Sequence, residues 1–316
     1  MTLVLSVLEQ GMIYAVMALG IYITYKILDF PDLTVDGSFP LGAALTCALI
    51  TAGCNPFLTI LVSFVAGAGG GLLTGCNPFL TILVSFVAGA VVGILTGLIH
   101  VKLKVRDLLS GIIMMTALYT VNLQIAGRAN LPIYNFDTIF DNRVINAIFP
   151  ESMGRYRTVI IILIITVITK LLLDWYMNTK SGFLLRAVGD NDTIVTSLGV
   201  DKGMVKIIGL SIANGLVAMG GCIYAQQQRF FDISMGTGTM VIGLASVIIG
   251  TSLLKNLTFL KVTTTVVVGS IIYKACVALA LSLGFPSNYL KMITAVLFLV
   301  ILVFSMDRKK KVKNRA

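Results

Sequence analysis

The sequence predicts an all-α, polytopic transmembrane helical bundle of about nine to ten spans, and three observations predict it. Apolar runs fall at 4–24, 38–53, 57–73, 79–99, 108–126, 158–176, 207–225, 237–254, 262–282 and 289–306. Most are long enough to cross about 30 Å of hydrocarbon as a helix. Of the 316 residues, 57% are hydrophobic and 12% charged, with a mean hydropathy of +0.96, against about 25% charged in a soluble domain. The runs are continuous and lack the alternation of membrane β-strands, which excludes a barrel. One transmembrane domain over 1–316 follows.

The first run starts at the N-terminus, which lacks a basic stretch and a small-residue cleavage site, so it is read as a span and not as a removed signal. Orientation follows from the basic residues. Six of the 24 Lys and Arg lie between Arg308 and Arg315, so the tail 307–316 is placed in the cytoplasm. Counting back through the spans places 178–206, with Lys180, Arg186, Lys202 and Lys206, on the same side. The loop Arg128–Arg157 falls outside despite four arginines, among which stand Asp137, Asp141 and Glu151. The net charge of +10 is thus a topology signal, and nucleic acid is not an expected partner.

The runs 57–73 and 79–99 belong to a tandem duplication: residues 53–74 and 75–96 are identical at 19 of 22 positions, differing at Gly69/Val91, Gly70/Val92 and Leu72/Ile94. One repeat is one crossing. If both copies span, the count is ten and the N-terminus is inside. If one does not, the count is nine and the N-terminus is outside.

Catalytic patterns are absent: the sequence has no P-loop, no H-E-x-x-H, no G-x-S-x-G and one histidine, His100, in a basic stretch where solvation is expected. No catalytic residue, cofactor or metal site is expected. The five cysteines lie in or beside apolar runs without a C-x-x-C pair and read as buried free thiols.

Polar residues inside this apolar chain are therefore informative. The segment Asp29–Ser38 carries Asp32, Thr34, Asp36 and Ser38, with Pro31 inside it and Pro40 just beyond. Broken backbone at membrane depth is tolerated where it lines a cavity or is buried in protein. These four residues are expected to line a translocation path, the alternative being an exposed interhelical loop. Asn122 and Asn214 are further candidates, as are Gln124 and Gln226, each also suited to a helix-packing hydrogen bond. Lys274, near the centre of its span, costs about 2.5–3.5 kcal/mol on insertion scales and should face the bundle interior, a partner or water. Lys170 and Asp174 are spaced to pair.

The loop 178–206 is expected to form two short helices. Phe183–Val188 has one apolar side and ends at Gly189, which suits a C′ position. Asp190, Asn191 and Asp192 offer an N-cap for a second helix, Thr193–Leu198, stopped by Gly199.

The stretch Gly182–Val200, G-F-x-L-R-A-V-G-D-N-x-x-x-x-x-S-L-G-V, resembles the cytoplasmic coupling loop of ABC importer permeases of the branched-chain amino-acid and ribose type. It departs from the usual pattern at Ile194 and Val195, where paired alanines are common. The stretch Leu28–Ala43 resembles a subgroup that works with lipoprotein-type solute-binding proteins in uptake of aromatic amino acids or related solutes. The resemblance implies a multi-pass subunit of a bacterial plasma (inner) membrane, in contact with lipid. It would pair with a second permease, often a copy of itself in this family, with ATPase subunits that carry out hydrolysis, and with an external solute-binding lipoprotein. Gly182, Arg186, Ala187, Val188, Gly189, Asp190 and Asn191 would then form the ATPase coupling site, with Gly199 ending it. The rival is an ion- or proton-coupled secondary transporter using Asp32, Asp36 or Lys274.

Overall fold

The computed structural model describes residues 2–51, 78–148, 154–197, 199–254, 261–283, 289, 292–296, 298–300 and 303. The first copy of the duplicated span (53–74) and the basic tail (307–316) lie outside the described residues. Among the described residues, seven helices are long and apolar enough to cross a membrane, and Val35–Thr51 is a shorter apolar one. Helix is what a membrane-spanning chain needs, since it satisfies every backbone group internally.

α1 (Thr2–Ile21) passes without interruption into a π-helical turn, Tyr22–Ile27. α2 is Val35–Thr51, α3 Pro78–Lys102 and α4 Asp107–Ala126. A short strand β1 (Asn130–Pro132), α5 (Arg143–Ile148) and α6 (Gly154–Met177) follow. α7 (Lys180–Asp190) and α8 (Asp192–Ser197) precede the long α9 (Lys202–Gln228). The chain continues through β2 (Phe230–Asp232), a 3₁₀ turn (Ile233–Gly236), α10 (Thr239–Leu253) and α11 (Val262–Ser282). The strands pair antiparallel, with Leu131 opposite Phe231 and both buried. Three-residue strands carry no readable alternation, so the sequence did not announce them.

The core sits around α9. Gly42 of α2 and Gly89 and Gly93 of α3 face the α9 backbone, where an added Cβ would land on the carbonyl oxygens of Ala218, Asn214 and Leu210 respectively. Small residues replace the hydrophobic drive that lipid cannot supply, because backbones that approach closely gain dispersion contact. Gly221 of α9 meets the Phe39 backbone in the same way.

α2 and α3 run antiparallel. Thr34 lies 3.2 Å from Thr96, and Thr46 lies 3.4 Å from Ser85, so numbering rises along one helix as it falls along the other. The end of α2 and the start of α3 therefore meet at the end of the bundle that carries β1 and β2. α1 begins at that same end, where Gln227 donates to Glu9 at 3.4 Å. It finishes at the opposite end, against α7. The N-terminus and the polar loop 178–206 thus lie at opposite ends. In the second copy, Val91 and Ile94, two of the three positions that differ from the first, are 44% and 39% exposed on α3.

At the β1–β2 end, Asp141 draws together one of the outer loop's four arginines, Arg157, and Arg229 from the end of α9. Its carboxylate lies 2.8 Å from Arg229 and 3.6 Å from Arg157, and hydrogen bonds from Arg229 and Asn146 hold its carboxyl below the usual range. Gln226, fully buried, ties this loop to the bundle: its carbonyl accepts from Ile139 N at 2.9 Å and its amide donates to Thr81 at 3.0 Å. His100 is less solvated than its basic surroundings suggest. Its Nδ1 lies 2.9 Å from the Val105 carbonyl and its ring meets Phe30 edge-on at 5.1 Å. Lys170 and Asp174 pair at 2.9 Å as their spacing predicts, and Lys261 joins them at 3.4 Å. Cys47, Cys222 and Cys276 are free thiols.

Candidate functional site

α7 and α8 form a knob at one end of the bundle. Thr179 caps α7, its hydroxyl accepting from Gly182 N at 3.3 Å. Gly182, Leu185 and Val188 face inward and are buried, so Gly182 and Val188 seat the helix and do not belong to an outward docking face. Arg186, Asp190 and Asn191 are exposed, and Ala187 and Gly189 are half-buried. Phe183, absent from the sequence candidates, is 59% exposed, and its ring lies 6.0 Å from the Arg186 guanidinium. After α8, Val200 N bonds to Val195 O at 3.3 Å and Gly199 N to Thr196 O at 3.0 Å. With Gly199 at φ +76°, this is a Schellman motif, and Gly199 ends the knob as expected.

Gly189 does something else than its sequence position suggests. It lies within α7, which runs on to Asp190, and it is not among the residues with positive φ. The sequence expectation of a C′ glycine is therefore corrected. Its lack of a side chain is needed because a Cβ would fall on the carbonyl oxygen of Ile27, the last residue of the π-helical turn. Leu28 is held in turn: the side chains of Leu28 and Leu185 both lie against Gly209 of α9. Asp29, at φ +51°, then turns the chain toward Asp32. A polar cavity of ≈ 340 Å³ lies at this junction, lined by Leu28, Asp29, Gly189, Asp190 and Lys206 among others.

The second group of candidates converges on the middle of α9. Asp32, 1% exposed, accepts from Asn214 Nδ2 at 2.8 Å and from Thr34 N at 2.9 Å. Ser38 donates to Asn214 Oδ1 at 2.7 Å. Thr34 pairs with Thr96, and Asn122 donates to the Gly37 carbonyl at 3.1 Å. Asp32, Thr34, Ser38 and Asn214 therefore form one buried network with Thr96, across segment 28–34, α2, α3 and α9; Asn122 of α4 lies beside it, held at the Gly37 backbone with its Oδ1 unpartnered, and the exposed-loop alternative does not hold for Asp32, Thr34 and Ser38. Each donor answers a nearby acceptor, which is how a charged group is tolerated in an apolar bundle.

Two details of this segment differ from the sequence expectation. The break covers 28–34 only, because α2 already includes Asp36, Ser38 and Pro40. Pro40 deprives the Asp36 carbonyl of its helical donor, and Gly236 packs against that carbonyl. Asp36 also stands apart from the network. Its carboxylate accepts from Gly238 N, Met240 N and Thr239 Oγ1 at 3.0, 2.8 and 2.9 Å, capping α10 from a different helix. Asp36→Ala is expected to lower stability by about 1–2 kcal/mol, the range of a lost N-cap, with Asp36→Asn recovering part of it. Thermal melting of the purified protein in detergent reads this, and equal melting of wild type and Asp36→Ala would remove the capping role.

The network and the knob are thus connected by a short stretch of chain. Gly189 of α7 touches Ile27, and the chain runs from there through Leu28 to the break that holds Asp32. Ile27 was not a sequence candidate, and a close approach between distant backbones leaves no local signal.

Comparison with known proteins supplies the context for this geometry. The family described as the branched-chain amino acid transport system / permease component matches residues 3–302. A tyrosine transport system permease protein of Clostridioides difficile is 40% identical over 299 residues, covering 95% of this chain and 90% of its own length. An uncharacterised Rickettsia prowazekii protein is 29% identical over 309 residues, covering 95% and 96%. A nucleoside ABC transporter permease protein of Lactococcus lactis is 33% identical over 106 residues, covering 31% and 33%. No solved structure matches significantly. A bundle with a capped knob at one end, matched over almost its whole length, belongs to the branched-chain amino-acid transport permease family: it is the multi-pass inner-membrane subunit of an ATP-binding-cassette importer of small solutes, a transport subunit and not an enzyme, working with separate ATPase and solute-binding proteins.

Proposed function

We propose that this permease imports an amino acid of the aromatic class, that two copies pair around the path, and that α7–α8 is the ATPase docking knob on the cytoplasmic side. The relative's tyrosine transport supports the solute class. Arg186, Asp190 and Asn191 present the docking surface, with Ala187 at its edge. Gly182, Val188 and Gly189 seat the helix on the bundle, and Gly199 closes it. The basic tail 307–316 shares the cytoplasmic side, and the external lipoprotein delivers solute to the β1–β2 end. The apolar residues exposed on α4 and α6, such as Ile113 and Leu171, meet lipid.

The observation that carries this reading is the contact of Gly189 with the Ile27 carbonyl, which joins the knob to the polar network. ATP-driven closure of the ATPases would push α7, shift segment 28–34 and separate α2 from α9. Asp32, Thr34, Ser38, Asn122 and Asn214 then become one wall of the path, while Asp36 holds α10 against α2. Such two-state rocking needs discrete packed arrangements, which glycine-mediated helix contacts allow.

Arg186→Glu tests the docking role. With its ATPases and binding protein in proteoliposomes, the variant is expected to keep its place in the membrane and lose at least about tenfold in solute uptake, through one reversed charge at an interface. Wild-type uptake at matched protein levels would sink the assignment.

A further inference from the structure

Another polar feature lies toward the β1–β2 end, away from the knob and the Asp32 network. Lys274 of α11 holds its ammonium 3.8 Å from the centroid of the Tyr14 ring and 3.5 Å from the Gln10 side-chain carbonyl, to which it donates. Among the described residues no carboxylate pairs with it. The sequence offers few others: after Asp232 the chain holds one acid, Asp307. Glu9, beside Gln10 on α1, receives the Gln227 amide instead.

Lys274 and Gln10, with Ser6 and Ser282, form the polar part of a cavity of ≈ 520 Å³, with Leu3, Val7, Val277 and Leu281 among its walls. On α1 the residues Leu3, Val7 and Gln10, and on α11 the residues Lys274, Val277 and Leu281, recur at spacings of three and four, so each helix turns a single stripe to the cavity. The walls are mainly apolar, with Ser6 and Ser282 among them, and a cation stands beside a carboxamide.

We propose that this cavity is a carboxylate site for a small solute with an apolar body. The carboxylate takes the Lys274 ammonium and the Gln10 amide N–H, and the body lies along the aliphatic walls. The volume falls within the roughly 300–1,000 Å³ of small-molecule pockets. Depth decides between two sources of the anion. Lys274 lies about two turns, ~10 Å, below the end of α11. A phospholipid phosphate would have to leave the headgroup layer to reach it, whereas a small carboxylate enters head first. The assignment rests on the proposed import of amino-acid-like solutes, which places this end outside.

The test uses the permease with its ATPases in nanodiscs of neutral phosphatidylcholine. The radiolabelled probes are L-tyrosine, 3-phenylpropionate, which has the carboxylate without the ammonium, and tyramine, which has the reverse. Tyrosine and 3-phenylpropionate should bind and compete, and tyramine should not. Lys274→Met, which removes a half-buried cation with no carboxylate partner among the described residues and leaves a side chain of similar length, should weaken both by at least about tenfold, and Lys274→Arg should restore binding. Ala278→Phe, which fills the cavity without altering charge, should abolish it. Tyramine binding as tightly as tyrosine, or Lys274→Met binding like wild type, overturns the proposal. So does displacement of both probes by phosphatidylglycerol, which would give the site to lipid. Binding of 3-phenylpropionate without tyrosine upholds the site and removes the amino-acid reading. ATP-driven tyrosine uptake with wild-type binding in Lys274→Met upholds that reading and removes the site.

Discussion

Gly189→Ala is expected to cut solute uptake at least about tenfold while ATP hydrolysis continues, a loss of more than ~1.4 kcal/mol in productive coupling. In an ordinary helix this change would stabilise by about 1 kcal/mol, since alanine outranks glycine in helix propensity. Here the new methyl would occupy the place of the Ile27 carbonyl oxygen. Overpacking costs roughly 1–3 kcal/mol, and the neighbour is backbone and cannot rotate aside as a side chain can. Ile27 is buried, and Leu28 is wedged with Leu185 against Gly209, so α7 must lift. Lifting breaks the contact through which the knob reaches segment 28–34. Gly199→Ala is the companion variant. Its φ of +76° makes alanine costly by roughly 1–2 kcal/mol, but a Cβ there meets nothing within 4 Å. It should loosen the knob's end and leave most uptake intact. Solute moved per ATP in proteoliposomes separates the two, and a wild-type ratio in Gly189→Ala would falsify the mechanical link.

Glycine also shows where sequence reading reached its limit. At Gly199 the local pattern sufficed, because a stop after Val195–Leu198 is a property of neighbouring residues. At Gly189 the same residue type serves a contact with chain far away in sequence, and no pattern within α7 distinguishes it from a cap. The spans were legible because hydrocarbon forces long apolar runs. The polarity of 28–40 was legible too, but its boundary was not. Pro40 reads as a breaker, yet it sits inside α2 with the freed Asp36 carbonyl facing Gly236, which belongs to another element. Asp32 and Asn214 were separate candidates whose meeting depends on how α9 threads the bundle, and the end at which α1 begins depends on its contact with the far end of α9.

The largest effect on stability is expected at Asn214. Asn214→Leu removes the amide that donates to Asp32 and the carbonyl that accepts from Ser38. It leaves a carboxylate 1% exposed with Thr34 as its remaining donor among the described residues. Stripping the partner from a buried charge costs about 3–5 kcal/mol, a large share of the roughly 5–15 kcal/mol that holds a soluble domain together. Asp32→Asn takes away the charge and keeps the shape. It should cost about 1–2 kcal/mol, because a neutral amide is cheaper to bury than a carboxylate and its oxygen still accepts from Asn214, while its NH2 cannot accept from Thr34 N. Combined with Asn214→Leu it should recover at least about 1.5 kcal/mol, the non-additivity expected of residues in direct contact. Denaturant titration in detergent measures all three, and strict additivity would show that the pair is uncoupled. The same variants separate packing from transport. Asp32→Asn that is stable but fails to import places the carboxylate's charge in the path; Asp32→Asn that is stable and imports normally leaves Asp32 as the group that locks α2 to α9 between strokes.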